Sequence, residues 1–274
     1  MSVTYTAELP LGDHTVDRLE ALLAAERARR GTRAGRRALD CRAQAVLVLR
    51  WFVDGTRLAQ LVRDNQIGRS TGYDYLHEGI AVLAAQAPDL RNVLLAAKAA
   101  GYGHVIVDGT VIETDRVRAP GPTTGVDLWW SAKVHNHGGN IQVVSAPDDG
   151  WPLWTSDVRP GREHDTTALR ASGALPVLGR WAAGGGEVLA DLGYEGLQDQ
   201  VAVPFKKPKG EALPDDQKKH NRVHRALRAV GERANALLKS TFRTLGNISL
   251  DPWKIGRIVA AALVILHIEH DRTT

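Results

Sequence analysis

The sequence predicts a mixed α/β fold preceded by an all-α N-terminal module. Three observations predict it. Apolar residues recur at helical spacing from residue 13 to about residue 100. From residue 104 short β-branched runs set in, starting with Val105-Ile-Val107, and tryptophans and glycines multiply. The last part, about 216–245 and 251–270, returns to helical periodicity. Strands framed by helices in this way make a mixed α/β layout. The change of character near residues 95–103 predicts two domains, 1–98 and 99–274.

The bulk numbers narrow the class. A chain of 274 residues with 43% hydrophobic content can bury a sizeable core. Its net charge of +4 hints at a polyanionic partner, but the placement of charge says more than its sum. A single cysteine, Cys41, forms no internal disulfide, which fits a reducing cytoplasm. Met1 to Leu11 has neither a basic start nor an apolar block, so no signal peptide is expected. The longest uncharged apolar run, Ile258 to Leu266, is too short to cross a bilayer. The expectation is a soluble cytoplasmic protein with no membrane partner.

Taken in order, residues 13–50 read as helix around Leu19, Leu22, Leu23 and the run Ala43 to Leu49. A basic segment from Arg27 to Arg37 interrupts them, and its Arg33, Arg36 and Arg37 are either solvated or paired with phosphates. Residues 54–83 read as two short helices across the turn Asn65-Gln-Ile-Gly68, with Thr56 capping the first and Arg69-Ser-Thr71 the second. That is the helix-turn-helix layout, in which the start of the second helix meets the major groove. Arg69, Ser70, Thr71 and Tyr73 would then face DNA; an ordinary helical hairpin is the plain alternative. A connecting helix, 90–100, closes at Gly101-Tyr-Gly103.

The second part begins with a strand over 104–109. Leu128 to Val134 and Ile141 to Ser145 read as a hairpin about a Gly138-Gly-Asn140 turn. Further strands are expected at 154–158, 187–190 and 201–205, with a helix opening after Pro160.

Two of these strands end in aspartate followed by a small turn, at Asp108 and Asp191. Neighbouring strands would bring both carboxylates to one sheet edge. Two close carboxylates repel, so one protonates or a divalent cation sits between them. Oxygen-only ligands suit Mg²⁺ or Mn²⁺. Turn-capping aspartates are the alternative.

A third carboxylate comes from helix geometry. At about 100° per residue, Leu227, Val230, Ala234, Leu237, Leu238, Thr241 and Leu245 fall opposite Glu232. Arg225, Arg228, Asn235, Lys239 and Arg243 fall on its side. Glu232 is thus the lone acid in a basic stripe, either in a surface pair with Arg228 or as a metal ligand among phosphate-holding cations. Lys206 and Lys207 add positive charge just before it.

These residues carry a resemblance. Val-Asp108-Gly-Thr, Leu-Trp-Trp-Ser-Ala-Lys133-Val-His135, Gly-Asn140-Ile-Gln142-Val, Pro160-Gly-Arg-Glu-His164-Asp165, Leu-Ala-Asp191-Leu-Gly-Tyr194-Glu-Gly, Val-Pro204-Phe-Lys206-Lys207-Pro and Arg228-Ala-Val-Gly-Glu232 through Lys239 stand in order over roughly 104–245. The set resembles the DDE transposases of the bacterial insertion-sequence-five group and their Harbinger-like relatives. The N-terminal module is similar, more weakly, to the helix-turn-helix region that precedes this domain in such proteins.

The resemblance implies an RNase H-like catalytic domain, a mixed five-stranded sheet flanked by helices. It implies Asp108, Asp191 and Glu232 as a triad holding two Mg²⁺ (or Mn²⁺) ions, with Asp108 shared between them. By analogy Lys133, His135, His164 and Asp165 lie near the site. The implied function is a transposase that cleaves at transposon ends and joins the 3′ ends to target DNA. Its expected partners are double-stranded DNA, both terminal inverted repeats and target, and a second copy in a homodimer, and its expected place is the bacterial nucleoid. A catalytically silent or domesticated DNA-binding protein, and a stand-alone RNase H-like nuclease, are the rivals.

Overall fold

The computed structural model describes residues 8–273; Met1 to Ala7, part of the stretch read for a leader, lie outside them. Five helices come first: α1 (Asp13–Arg29), α2 (Cys41–Asp54), α3 (Leu58–Asp64), α4 (Arg69–Ala84) and α5 (Leu90–Ala99). The basic segment splits α1 from α2, and Asp40 caps α2 by accepting from the Ala43 amide at 2.7 Å. The expected caps at Thr56 and at Ser70 and Thr71 are not made: α3 and α4 start at Arg57 and Gly68 without a side-chain cap. What joins α3 to α4 is close packing. Gly72 has no Cβ, and one placed there would overlap the Val62 side chain.

Buried Glu78 on α4 gathers the helices around it. It accepts from Gln44 at 2.9 Å and from Arg37 at 2.8 Å, and Arg30 stands 3.3 Å away. Removing one partner of such a network leaves the others desolvated and unpaired. Glu78→Ala is therefore expected to destabilise the protein by about 2 kcal/mol, read as a lower urea midpoint at unchanged slope.

Strands β1 (His104–Glu113), β2 (Trp130–Ser131), β3 (Asn136–Ser145), β4 (Pro152–Thr155), β5 (Arg159–Pro160) and β6 (Glu187–Leu189) form one mixed sheet. Its order is β2-β3-β1-β6, with β4 and β5 also paired to β3. β1 runs antiparallel to β3 and parallel to β6. Six strand segments replace the five expected, because the outer side of β3 is covered in three short pieces, β2, β5 and β4. The expected strand at 201–205 shrinks to a single bridge, Leu189 to Ala202.

Two expectations about glycines are corrected. Gly138-Gly-Asn140 is not a turn but lies inside β3; the reversal falls earlier, where His135 adopts φ 52°. A Cβ at Gly138 would stand 2.6 Å from the Ile112 carbonyl, and one at Gly139 would meet Val158. These glycines admit neighbouring chain, a role that looks like a turn in sequence. Gly109 is likewise within β1, which runs on to Glu113 along its full pairing with β3.

Helices α6 (Asp165–Ala171) and α7 (Leu175–Ala183) follow β5, and α8 (Asp215–Arg228), α9 (Glu232–Thr241) and α10 (Ile255–Glu269) close the chain. The single long helix expected over 216–245 is broken by a 3₁₀ turn at Ala229–Gly231, where Gly231 packs against Ile106 of β1. Leu227, expected on a core face, is exposed before this break. Apolar α10 is buried along nearly its whole length and packs on α1, α4 and β4. The N-terminal helices and the sheet thus share one apolar core. Glu269 at the end of α10 accepts from the Gly12 amide at 3.0 Å and the Thr15 hydroxyl at 2.6 Å, tying α1 to it. Among the described residues no helix is long and apolar enough to cross a membrane.

Candidate active site

Register places the first two carboxylates together. β1 and β6 are parallel with Ile106 opposite Leu189. Two residues further along each chain stand Asp108 and, just past the end of β6, Asp191, whose charge acts on the Asp108 carboxyl. The expectation that neighbouring strands bring both acids to one edge describes this arrangement, except that Asp108 lies mid-strand. Asp191 also caps a 3₁₀ turn, Leu192–Tyr194, accepting from the Gly193 amide at 2.8 Å.

The two faces of β1 carry different partners. On one face Asp108 accepts from the Asn235 amide of α9 at 2.8 Å. On the other, Gly109 leaves the room that Asp165 fills, for a Cβ there would overlap the Asp165 carboxylate. Asp165 accepts from Asn140 at 2.8 Å and from Lys133 at 3.3 Å. Lys133 also donates to the Gly109 carbonyl at 3.1 Å. Buried Tyr194 donates to Gln142 at 2.5 Å, and Gln142 donates to Asn140 at 2.8 Å. Burial pushes the Asp108 carboxyl above the usual carboxylate range; Asp191 and Asp165 push the same way, while Lys133 and Arg228 oppose them. Burial raises the Tyr194 phenol too, and the three aspartates add to that shift.

A divalent cation fits the donor chemistry of this corner: oxygen ligands only, around a buried carboxylate whose charge its neighbours disfavour. Glu232 does not complete it in this conformation. Its side chain is 73% exposed and pairs loosely with Arg228 at 3.8 Å. Among the described residues no three His, Cys, Asp or Glu side chains are arranged to hold a metal ion.

The other expected residues divide between this corner and the surface. Arg225 and Arg228 line a cavity with Asp191, and Lys239 donates to the Val111 carbonyl of β1 at 3.0 Å. Burial lowers the Lys239 ammonium below its ordinary value. His135 and His164 are exposed, the first in its turn and the second before α6. Lys206 pairs with Glu195 at 2.7 Å, Lys207 is exposed, and Arg243 lies beyond α9 against Gly55. On the N-terminal helices Arg33, Arg36, Arg69 and Ser70 are exposed, and Thr71 and Tyr73 are half-buried. The Arg69 guanidinium sits 5.9 Å from the Tyr73 ring centre, while Arg37 turns inward to Glu78. Sequence reasoning named neither Asn235 as the partner of Asp108 nor Asn140, Gln142 and Tyr194 as supports of the corner. The signal for Asn235 was its place on the polar stripe with Glu232.

Comparisons with known proteins place the chain among transposase-like sequences. Over 137 residues the chain is 28% identical to the transposase named for insertion sequence element IS112 of Streptomyces albus G, covering 50% of this chain and 47% of that one. Over 92 residues it is 42% identical to the transposase named for insertion sequence element IS702 of Microchaete diplosiphon, covering 32% and 30%. The matched part thus spans less than half the length of these curated relatives. No solved structure matches the chain significantly. The family described as DDE superfamily endonuclease matches residues 107–267, a span that opens one residue before Asp108 and takes in Asp191 and Glu232. With more than half its length inside that match, the chain belongs to the DDE superfamily endonucleases.

Proposed function

We propose that the protein is a DNA transposase of the insertion-sequence-five or Harbinger-like kind, cutting phosphodiester bonds at transposon ends and joining the 3′ ends to target DNA. The observation that carries this reading is the register that sets Asp108 beside Asp191 at the end of the β1–β6 pairing, inside the family match. Asp108, Asp191 and Glu232 would hold two Mg²⁺ or Mn²⁺ ions, with Asp108 shared. Such ions lower the pKa of an attacking water or hydroxyl and steady the leaving oxygen. The chain's own groups do the rest. Asn235 fixes the Asp108 carboxylate from the α9 side. Lys133 and Asn140 fix Asp165, and Arg225 and Arg228 supply positive charge for the phosphates beside Asp191. The sheet corner with α6 and α9 on its two faces is consistent with an RNase H-like catalytic domain over 99–274.

In the same reading residues 1–98 hold DNA through a helix-turn-helix made of α3 and α4, and two transposon ends call for a homodimer. Support comes from the tight α3–α4 packing at Gly72 and the exposed Arg69 and Ser70 at the start of α4. Arg33 and Arg36 are exposed and suit the DNA backbone. Replacing both by alanine is expected to weaken duplex binding whatever the sequence. The slope of log affinity against log salt should become shallower by about 2, measured by anisotropy.

The outward Glu232 favours one rival, a catalytically silent DNA-binding protein. The deciding experiment incubates the protein with supercoiled and inverted-repeat DNA in Mg²⁺ or Mn²⁺. Nicking that a chelator stops is the expected result; no nicking under any metal condition supports the silent protein.

A further inference from the structure

Beside the acidic corner lies a feature the catalytic reading leaves unused. Phe205 is 45% exposed, and its backbone is held by a side chain. The Asn221 side chain grips its backbone twice, accepting from the Phe205 amide at 2.8 Å and donating to its carbonyl at 2.9 Å. Behind the ring stands His220, centroids 5.0 Å apart, and His220 stacks on His224 at 6.1 Å and 23°. The His224 Nε2 meets the Ala190 carbonyl at 2.8 Å, one residue before Asp191. A row of rings therefore runs from the acidic site out to Phe205.

The cavity in front of Phe205 has a volume of about 300 Å³ and is walled by Asp191, Leu192, Pro204, Arg225 and Arg228. A lone exposed aromatic means little by itself. This one is different in that a side chain clamps its backbone, its neighbour His220 packs edge-on against the ring, and it lines a cavity with two arginines and the aspartate of the site. A flat apolar ring flanked by cations matches a nucleobase and its phosphates.

We propose that Phe205 is the stacking platform for one unpaired nucleobase of the DNA strand that enters the acidic site, with Arg225 and Arg228 on the adjoining phosphates. The ligand class rests on the proposed function; the platform deepens it. Phe205 is a positioning residue: it holds the strand and touches no reacting group. Stacking on an aromatic side chain tolerates any base, so the preference is for an unpaired base over none rather than for a sequence.

The test uses the full chain in chelator and three probes: a blunt duplex, the same duplex with a short thymine overhang, and the same duplex with an abasic overhang of equal length. The wild-type protein is expected to bind the thymine overhang roughly 10-fold tighter than the abasic one. Phe205→Ala should erase that difference while leaving blunt-duplex affinity unchanged, and Phe205→Trp should keep it. No preference in the wild type, or a preference that survives Phe205→Ala, overturns the proposal. The nicking experiment reports on the nuclease reading separately. Overhang preference without nicking keeps the platform and removes the nuclease, and nicking without overhang preference does the reverse.

Discussion

Asp108→Asn will lower DNA cleavage by about 1,000-fold or more and leave duplex binding nearly unchanged. The size follows from what the carboxylate is asked to do. On the proposed reading Asp108 would be a metal ligand; losing such a ligand would forfeit several kcal/mol of transition-state stabilisation, and each 1.4 kcal/mol is tenfold in rate. Binding should survive because the cations assigned to phosphates, Arg33, Arg36, Arg225 and Arg228, are untouched. Asparagine also keeps an oxygen that can accept from Asn235, now 2.8 Å from the Asp108 carboxylate. The same substitution predicts a gain in stability. Burial raises the Asp108 carboxyl in the fold, so the folded state holds its proton more tightly than the unfolded chain. The charged form is the penalised one, and the penalty grows as pH climbs from the ordinary carboxylate range through the raised value. In chelator, Asp108→Asn should therefore melt above wild type at neutral pH, and the gap should close in acid. An inactive variant that is no less stable separates lost chemistry from lost fold. Wild-type cleavage rates in Asp108→Asn would remove Asp108 from the reaction.

How far the corner could be read from sequence depends on which interaction places each residue. Asp108 and Asp191 were legible because each follows a short apolar run, and parallel pairing of those runs brings them together without knowledge of loops. The length of β1 was not, because Gly109 and Thr110 look like a turn until eight residues of β3 pair along β1. Gly138 and Gly139 failed for the same reason: the backbone freedom that suits glycine to turns also lets a neighbouring strand come close, and local sequence does not separate the two. The amphipathic reading of the helix around Glu232 set Asn235 and Lys239 on one side and Ala234 and Leu238 on the buried one, but it misplaced Leu227, which is exposed. It missed the 3₁₀ break at Ala229–Gly231, which arises where Gly231 meets Ile106, a contact between residues distant in the chain. The basic segment shows the limit of charge counting. Arg37 was grouped with Arg33 and Arg36, but buried Glu78, some 40 residues away, claims it.

Glu232→Gln gives the sharpest contrast between a structural and a chemical role. As a surface group, Glu232 is worth little: 73% exposed, 3.8 Å from Arg228, an ion pair contributing about 0.3–0.5 kcal/mol. On that ground alone the variant should melt within about 1 °C of wild type and cleave normally. Its neighbours argue otherwise. Arg228 ends α8, 3.8 Å from the Glu232 carboxylate, and Asn235 lies about one turn further along α9. Asn235 is bonded to Asp108, and Arg228 is close enough to stabilise its charge. Glu232 thus lies between two residues that reach Asp108, with its carboxylate exposed to solvent. The expected result is a loss of cleavage of about 100-fold or more at unchanged melting temperature, with duplex affinity preserved. Asp165→Asn supplies the comparison, because Asp165 is, besides Asp191, a carboxylate near Asp108 and is held by Lys133 and Asn140. If Glu232→Gln cleaves like wild type and Asp165→Asn does not, the third acid comes from α6, and the basic stripe on α9 serves only to hold DNA.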